Sequence, residues 1–326
     1  MPETEVMINA GAMTSETTFH EAAPPPPAAP IPPPPAAYHR MGLVAGRHEW
    51  WRPVAGTGMV FGGAFLLMLV VIAVTETAGV VLDRPVDAEG MVTWGGLGDL
   101  ALSLLAIALA TPVVLLAAYA VQGRAPGTVA SVEGRLRWRQ LAGCLALALP
   151  LALLTMGILA LLPSPPDGDG GSEWAGTSAF LTALAVLWVL VPFQAAAEEY
   201  MFRGWLLQAV GSWFRSPWVA IAPQAVLFAA AHGWGTVWGF ADLVVFGLVT
   251  GWLTVRTGGL EAAIALHVLN NLVSMSIAAA FAGGLDSDET AADMDAAAVA
   301  VDVPVLLLYA AAVLWMTRRR EHAGGG

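Results

Sequence analysis

Apolar residues in this chain come in long, nearly unbroken runs separated by short polar stretches. That is neither the three-and-four rhythm of a half-buried helix nor the alternation of a strand. Eight runs predict helices, at approximately 55–75, 100–121, 140–162, 178–202, 217–232, 240–256, 261–282 and 303–317. Most approach the roughly 20 residues that cross a bilayer as helix; the fifth, sixth and eighth fall short of it. The fold class expected is an all-α polytopic membrane protein of about eight transmembrane helices. Pro112, Pro150, Pro192 and Pro223 fall inside runs, where membrane helices tolerate them as kinks. Gly247 and Gly251, four apart in the sixth run, predict close approach of a neighbouring helix within the chain. No internal repeat supports an inverted-repeat transporter.

Charge in the loops sets an orientation. Arg40, Arg47 and Arg52 precede the first run, and Glu76, Asp83, Asp87 and Glu89 follow it with a single arginine. Arg124, Arg135, Arg137 and Arg139 fill the second loop, Asp167, Asp169 and Glu173 the third. Arg203 and Arg215 follow the fourth run, Arg256 the sixth, and Arg318–Arg320 the last. The loop 283–302 is purely acidic, with Asp286, Asp288, Glu289, Asp293, Asp295 and Asp302. Arginines gather on the cytoplasmic side, so the expectation is a multi-pass protein of the plasma (cytoplasmic) membrane with both termini inside. The start, Met-Pro-Glu-Thr-Glu, has no basic region or short apolar core, so no signal peptide is expected. Residues 1–40 are polar and then proline-rich; they read as a disordered arm of polyproline character, with a partner for Pro-rich motifs as its functional alternative. A transmembrane domain is expected over 41–320 and a short tail over 321–326.

Composition agrees with the pattern. The 326 residues are 57% hydrophobic and 12% charged, against about 25% charged in soluble domains. A net charge of −11 excludes a nucleic-acid partner. The single cysteine, Cys144, sits inside an apolar run and reads as a core residue.

Chemistry concentrates at Ala195–Arg203, Ala-Ala-Ala-Glu-Glu-Tyr-Met-Phe-Arg, at the end of the fourth run. Ionisable groups there are costly and are functional candidates by default. Glu199 and Arg203 are four apart and share a face; Glu198 points about 100° away. The spacing makes Glu199 a structural carboxylate held ionised by Arg203 and leaves Glu198 free to take a proton. The plainer alternative is two interfacial charges with Arg203 snorkelling to headgroups. Of six histidines only His232 and His267 lie in or at the ends of apolar runs. Phe228 lies one turn before His232, and Asn271 one turn after His267. An imidazole and a carboxamide on one face suit an oxyanion. Asn270 falls on another face and reads as packing. His232 is the awkward member, four turns into its run and deeper than the others. Asp242 and Glu261 read as charges near helix N-termini.

Glu-Glu-x-x-x-Arg, Phe-x-x-x-His and His-x-x-x-Asn, in that order over about 178–282, resemble the CPBP family. These are the CAAX prenyl protease and bacteriocin-processing intramembrane endopeptidases, the Rce1-like or abortive-infection group. Thr257-Gly258-Gly259-Leu260 before His267 is similar to the family as well. The resemblance implies an eight-helix bundle whose membrane-embedded site opens toward the cytoplasm and hydrolyses a peptide bond of a membrane-associated, CAAX-type substrate. It implies that Glu198 with His232 activates water, that His267 and Asn271 stabilise the oxyanion, and that Glu199 and Arg203 hold the site. Phe228 would form its wall. Two histidines and a glutamate are also a plausible catalytic zinc set. Against that, a metal-free mechanism uses every motif residue, whereas a zinc set leaves Asn271 outside.

Rival motifs are weaker. His-Glu-x-x-His and Gly-x-Ser-x-Gly are absent. Gly96-Leu97-Gly98-Asp99 matches the Gly-x-Gly-Asp string of aspartyl intramembrane proteases, but the first run offers no second aspartate. Asp99 therefore reads as a loop-to-helix junction. A transporter with a proton relay would scatter polar residues over many spans, and a non-catalytic membrane immunity protein would lose a motif residue; neither pattern is present.

Overall fold

The computed structural model describes residues 37–47, 49–162, 173–286 and 290–324. Most of the expected arm, His20, His48, Asp167, Asp169, Asp288 and Glu289 lie outside these. Among the described residues there are helices and three isolated β-bridges but no strand. In chain order the main helices are α1 Arg52–Val81, α2 Gly96–Ala120, α3 Trp138–Leu159, α4 Thr177–Gly211, α5 Pro217–Ala231, α6 Val237–Thr257, α7 Glu261–Ala278 and α8 Ala296–Arg320. All but α5 are long and apolar enough to cross a membrane, which makes seven such helices among the described residues. The bundle is the all-helical polytopic one expected.

The differences from expectation have physical causes. Helices α6 and α8 start earlier than the runs 240–256 and 303–317, and so reach span length. Asp302, in the added part of α8, and Asp242, in the first turns of α6, look like boundaries in sequence but are buried within the helices, near enough to interact. Asp242 is therefore an interior residue of the α6–α8 contact, not a solvated helix-end charge. Helix α5 has 15 residues, a rise of about 22 Å against a hydrocarbon core of about 30 Å. Pro217 opens it, and Gly233, at φ 95°, turns the chain immediately after His232. A side chain disfavours that φ, so the helix stops inside the bundle. Helix α2 breaks at Leu109, because Pro112 lacks an N–H and crowds the carbonyl four residues earlier. The last helix continues to Gly324, through most of the expected tail.

Contacts between loops define two ends. At the arginine-rich end, Ser131 bridges Gly259, and Gly258 closes α6 at φ 73°. Glu261 is fully buried; it accepts from Arg137 Nη2 at 2.6 Å, Arg137 Nε at 3.0 Å and the Arg137 backbone N–H at 2.8 Å. It is thus a clamp between the α2–α3 loop and α7, a stronger role than a favourable helix-end charge. Arg124 is buried too, donating to Gln122 Oε1 and Gln208 Oε1 at 2.5 Å and to Thr128 Oγ1 at 3.0 Å; burial lowers its pKa to about 10, which leaves it charged at neutral pH. Residues 38–40, expected in the arm, belong to the body. Tyr38 is fully buried and donates to the Val129 carbonyl at 2.5 Å, and His39 Nε2 meets the Arg215 carbonyl at 3.0 Å.

At the acidic end, Ala175 N–H donates to the Ala280 carbonyl at 3.0 Å, and Thr236 N–H to that of Ala292 at 2.8 Å. Asp99 accepts from Thr93 Oγ1 at 2.7 Å and Trp94 N–H at 2.9 Å, the junction role expected of it. Between the ends, α5 packs on α6, and α7 on α3 and α4. A Cβ on Gly247 would stand 2.7 Å from Ala225 Cα, so this glycine lets α5 and α6 approach as its spacing predicted.

Breaking a buried ion pair leaves an uncompensated charge, at a cost of about 3–5 kcal/mol. Arg137→Ala and Glu261→Ala are each expected to lose about 3 kcal/mol in detergent unfolding, and the double variant little more than either single. Additive losses would show that the two residues stabilise the fold independently.

Candidate active site

Helix α4 carries the centre of the site. Glu198 lies roughly 20 Å from Gly211, at the arginine-rich end, and roughly 30 Å from Thr177. Immediately after Glu199 the helix widens into a π-helical stretch, Tyr200–Leu206, a distortion frequent at functional sites. Glu199 and Arg203 are fully buried. Arg203 Nη1 donates to Glu199 Oε1 at 3.1 Å, and Arg203 Nε to Thr250 Oγ1 of α6 at 3.0 Å. The guanidinium lies over the Phe228 ring, 3.9 Å from its centroid. His267 Nδ1 lies 2.8 Å from the same Glu199 oxygen. One carboxylate thus holds the arginine of its own helix and the imidazole of α7.

Glu198, buried beside it, faces the other way. Its Oε1 accepts from Gln194 Nε2 one turn earlier, and Gln194 Oε1 accepts from Asn271 Nδ2 at 3.2 Å. Its Oε2 is buried without a hydrogen bond and lies 3.9 Å from both His232 Nε2 and His267 Nε2. His232 is the C-cap of α5, and the shortness of that helix puts the ring at the depth of Glu198. The misfit in depth expected for His232 disappears because α5 has only 15 residues and ends at this histidine.

Hydrogen bonding fixes the tautomers. His232 Nδ1 is 2.9 Å from the Phe228 carbonyl. A carbonyl only accepts, so Nδ1 carries the proton and Nε2 of the neutral ring is an acceptor. The Glu199 carboxylate imposes the same order on His267: Nδ1–H points at Glu199, and Nε2 donates only when the ring carries both protons.

Phe228 stands between the groups. Its ring centroid is 4.6 Å from His232, 5.8 Å from His267 and 5.7 Å from Phe246. His232 and Asn271 are only partly buried, so the accessible side of the site is theirs. On the acidic-end side, Thr290 Oγ1 donates to the His232 carbonyl at 3.2 Å, which ties Thr290 to the end of α5.

The zinc alternative is testable on these distances. Donors about 2.0–2.1 Å from a tetrahedral ion stand about 3.3 Å apart. Here the carboxylate oxygen is 3.9 Å from each imidazole nitrogen, and no group of three such side chains among the described residues is placed to hold a metal. The donors as positioned do not close on an ion.

All six motif residues, Glu198, Glu199, Arg203, His232, His267 and Asn271, converge with Phe228. Gln194 escaped the sequence reading, although a glutamine four residues before Glu198 in an apolar helix was its signal.

Comparison with known proteins agrees with the motifs. Residues 179–273, which contain every residue of this cluster, match the family described as type II CAAX prenyl endopeptidase Rce1-like. The resemblance carried by the three motifs is thereby borne out. The chain is 31% identical over 193 residues to the uncharacterized protein YyaK of Bacillus subtilis (strain 168). That similarity covers 57% of this chain and spans 63% of the relative's length. No solved structure matches the chain.

The two adjacent glutamates should differ in what they do for the fold. Glu199→Ala leaves Arg203 buried without a counter-charge and is expected to cost about 3–5 kcal/mol. Glu198→Ala, which removes no ion pair with an arginine, should change stability by about 1 kcal/mol or less. Thermal unfolding of the purified variants in one detergent measures both; equal losses would contradict the division.

Proposed function

We propose that the protein is an intramembrane endopeptidase that hydrolyses a peptide bond of a membrane-associated protein or peptide, by a glutamate-based mechanism without metal. The observation that carries this reading is the buried Oε2 of Glu198, which faces the Nε2 atoms of two histidines whose Nδ1 protons are already committed. On this reading a water lies between Glu198 Oε2 and His232 Nε2, giving one hydrogen bond to each. Both are acceptors, so the water's lone pairs are left to face the substrate carbonyl carbon. Glu198 takes one water proton as the C–O bond forms. The carbonyl oxygen, now negative, is met by Asn271 Nδ2 and by Nε2–H of a doubly protonated His267, with Glu199 as that imidazolium's counter-ion. Glu198 then passes its proton to the departing amine as the C–N bond breaks, leaving a carboxylic acid and an amine.

Roles follow from position. Glu199 and Arg203 hold His267 and touch no reacting atom. The match to a family described as type II CAAX prenyl endopeptidase supports a CAAX-type, prenylated substrate. The arginine distribution supports both termini on the cytoplasmic side, which brings Glu198 nearer to that face.

Cleavage of fluorogenic peptides, prenylated and unprenylated, by membranes containing each variant tests the reading. Glu198→Gln and His232→Ala are expected to lower kcat by about 10²–10⁴-fold, and a zinc chelator to leave the wild-type rate unchanged. Full activity of Glu198→Gln would remove Glu198 as the base. Loss on chelation with recovery on added zinc would overturn the metal-free reading.

A further inference from the structure

We propose that Gln194 is a positioning residue of this site, coupling the general base to the oxyanion donor. The inference rests on the reading of Glu198 as the base. Gln194 is buried on α4, one turn before Glu198 and on its face. A carboxamide among apolar residues is costly unless both its ends are satisfied, and here two residues of the site satisfy them. Nε2 donates to Glu198 Oε1, and Oε1 accepts from Asn271 Nδ2 at 3.2 Å. A carboxylate oxygen cannot donate, so only one orientation of the Gln194 amide serves both contacts.

That orientation has two consequences. Glu198 Oε1 is occupied by the Gln194 donor, so Oε2 is the oxygen left to act on water. The two carboxylate oxygens cannot exchange places without breaking the bond. Asn271 is fixed as well. Its Nδ2 faces α4 and the base, because the flipped amide would set its own oxygen against Gln194 Oε1. With a residue that accepts nothing at 194, Asn271 can turn its carbonyl toward the developing oxyanion, where it repels. Gln194 touches neither water nor substrate; it decides which atoms of two neighbours do.

Three variants and two readouts test this. Gln194→Leu keeps the volume and removes both bonds; kcat should fall about 10–100-fold, with KM changed less than about threefold. Gln194→Glu places a carboxyl that donates to Glu198 only while protonated. Its kcat should approach the wild-type value at low pH and fall as pH rises and the two carboxylates repel, a limb absent from the wild-type profile and from any purely structural role. The second readout needs no catalysis. A hydrophobic carbodiimide adds only to protonated carboxyls, and its labelling of Glu198, followed by mass spectrometry, should quicken several-fold in Gln194→Leu. If that variant does not fold, Gln194→Glu carries the test. Wild-type kcat, pH profile and labelling rate in both variants would overturn the proposal. Glu198→Gln run alongside separates the two ideas: its full activity removes Glu198 as the base, while the labelling rate still judges whether Gln194 holds that carboxyl.

Discussion

The site depends on one buried carboxylate. Glu199 is out of contact with solvent and carries the charge that lets Arg203 be buried with it. Desolvating two such ions is expensive, and the pair is not fully engaged, since Glu199 Oε2 and Arg203 Nη2 are buried without a hydrogen bond. Here the arginine spreads the arrangement over neighbouring helices, donating to Thr250 of α6 and lying over Phe228 of α5. Glu199 itself reaches α7 through His267. Four helices are therefore indexed to one charge, and each carries a group of the site or its wall. Thr250 closes the arrangement by donating on to the Phe246 carbonyl at 2.6 Å.

With Glu199 anchored, the position of Glu198 follows from helix geometry. Adjacent residues differ by about 100°, so a helix that turns Glu199 into the Arg203 cluster turns Glu198, just before it, toward the Nε2 atoms of the histidines. Two carboxylates this close repel if both ionise in an apolar setting. The arrangement separates their surroundings: Glu199 has cationic and imidazole donors, and Glu198 has only the neutral amide of Gln194 on one oxygen. The two acidic groups thus have different chemistry without any difference in residue type. The π-helical stretch that follows still lets Arg203 reach back to Glu199, four residues before it.

Much of this was legible in the sequence, and the limits of that reading have definite causes. Motif residues show because ionisable and imidazole groups stand out against apolar runs, and i, i+4 spacing fixes which share a face. The same contrast misled at Asp242 and Asp302, where buried charge looks like the end of a helix. Glu261 was read from its place at a helix start, while its partner Arg137 lies on another loop that only tertiary folding brings near. The depth of His232 could not be had from hydropathy. The apolar run through 217–232 is nearly span-length, and Gly233 ends it inside the bundle by a backbone angle. Gln194 was visible as a polar residue but carried no motif; its partners, Glu198 and Asn271, lie on two helices.

The same geometry bears on what the proposed endopeptidase could cut. A peptide bond within a membrane helix has its carbonyl occupied by the amide four residues on, and unwinding it in hydrocarbon exposes polar groups that have no other partner. Glu198 Oε2, the proposed base oxygen, is buried, while the accessible groups are the edges of His232 and Asn271. A carbonyl must therefore be brought in past those edges, on backbone already free of helical bonds. An extended segment tethered to the membrane meets that demand at little cost, because its carbonyls trade water for the donors of the site. A substrate anchored by a lipid near its end supplies such a segment without unwinding a span. The proposed chemistry and the proposed substrate class thus meet in one requirement: a membrane-held peptide whose backbone is not yet hydrogen-bonded to itself.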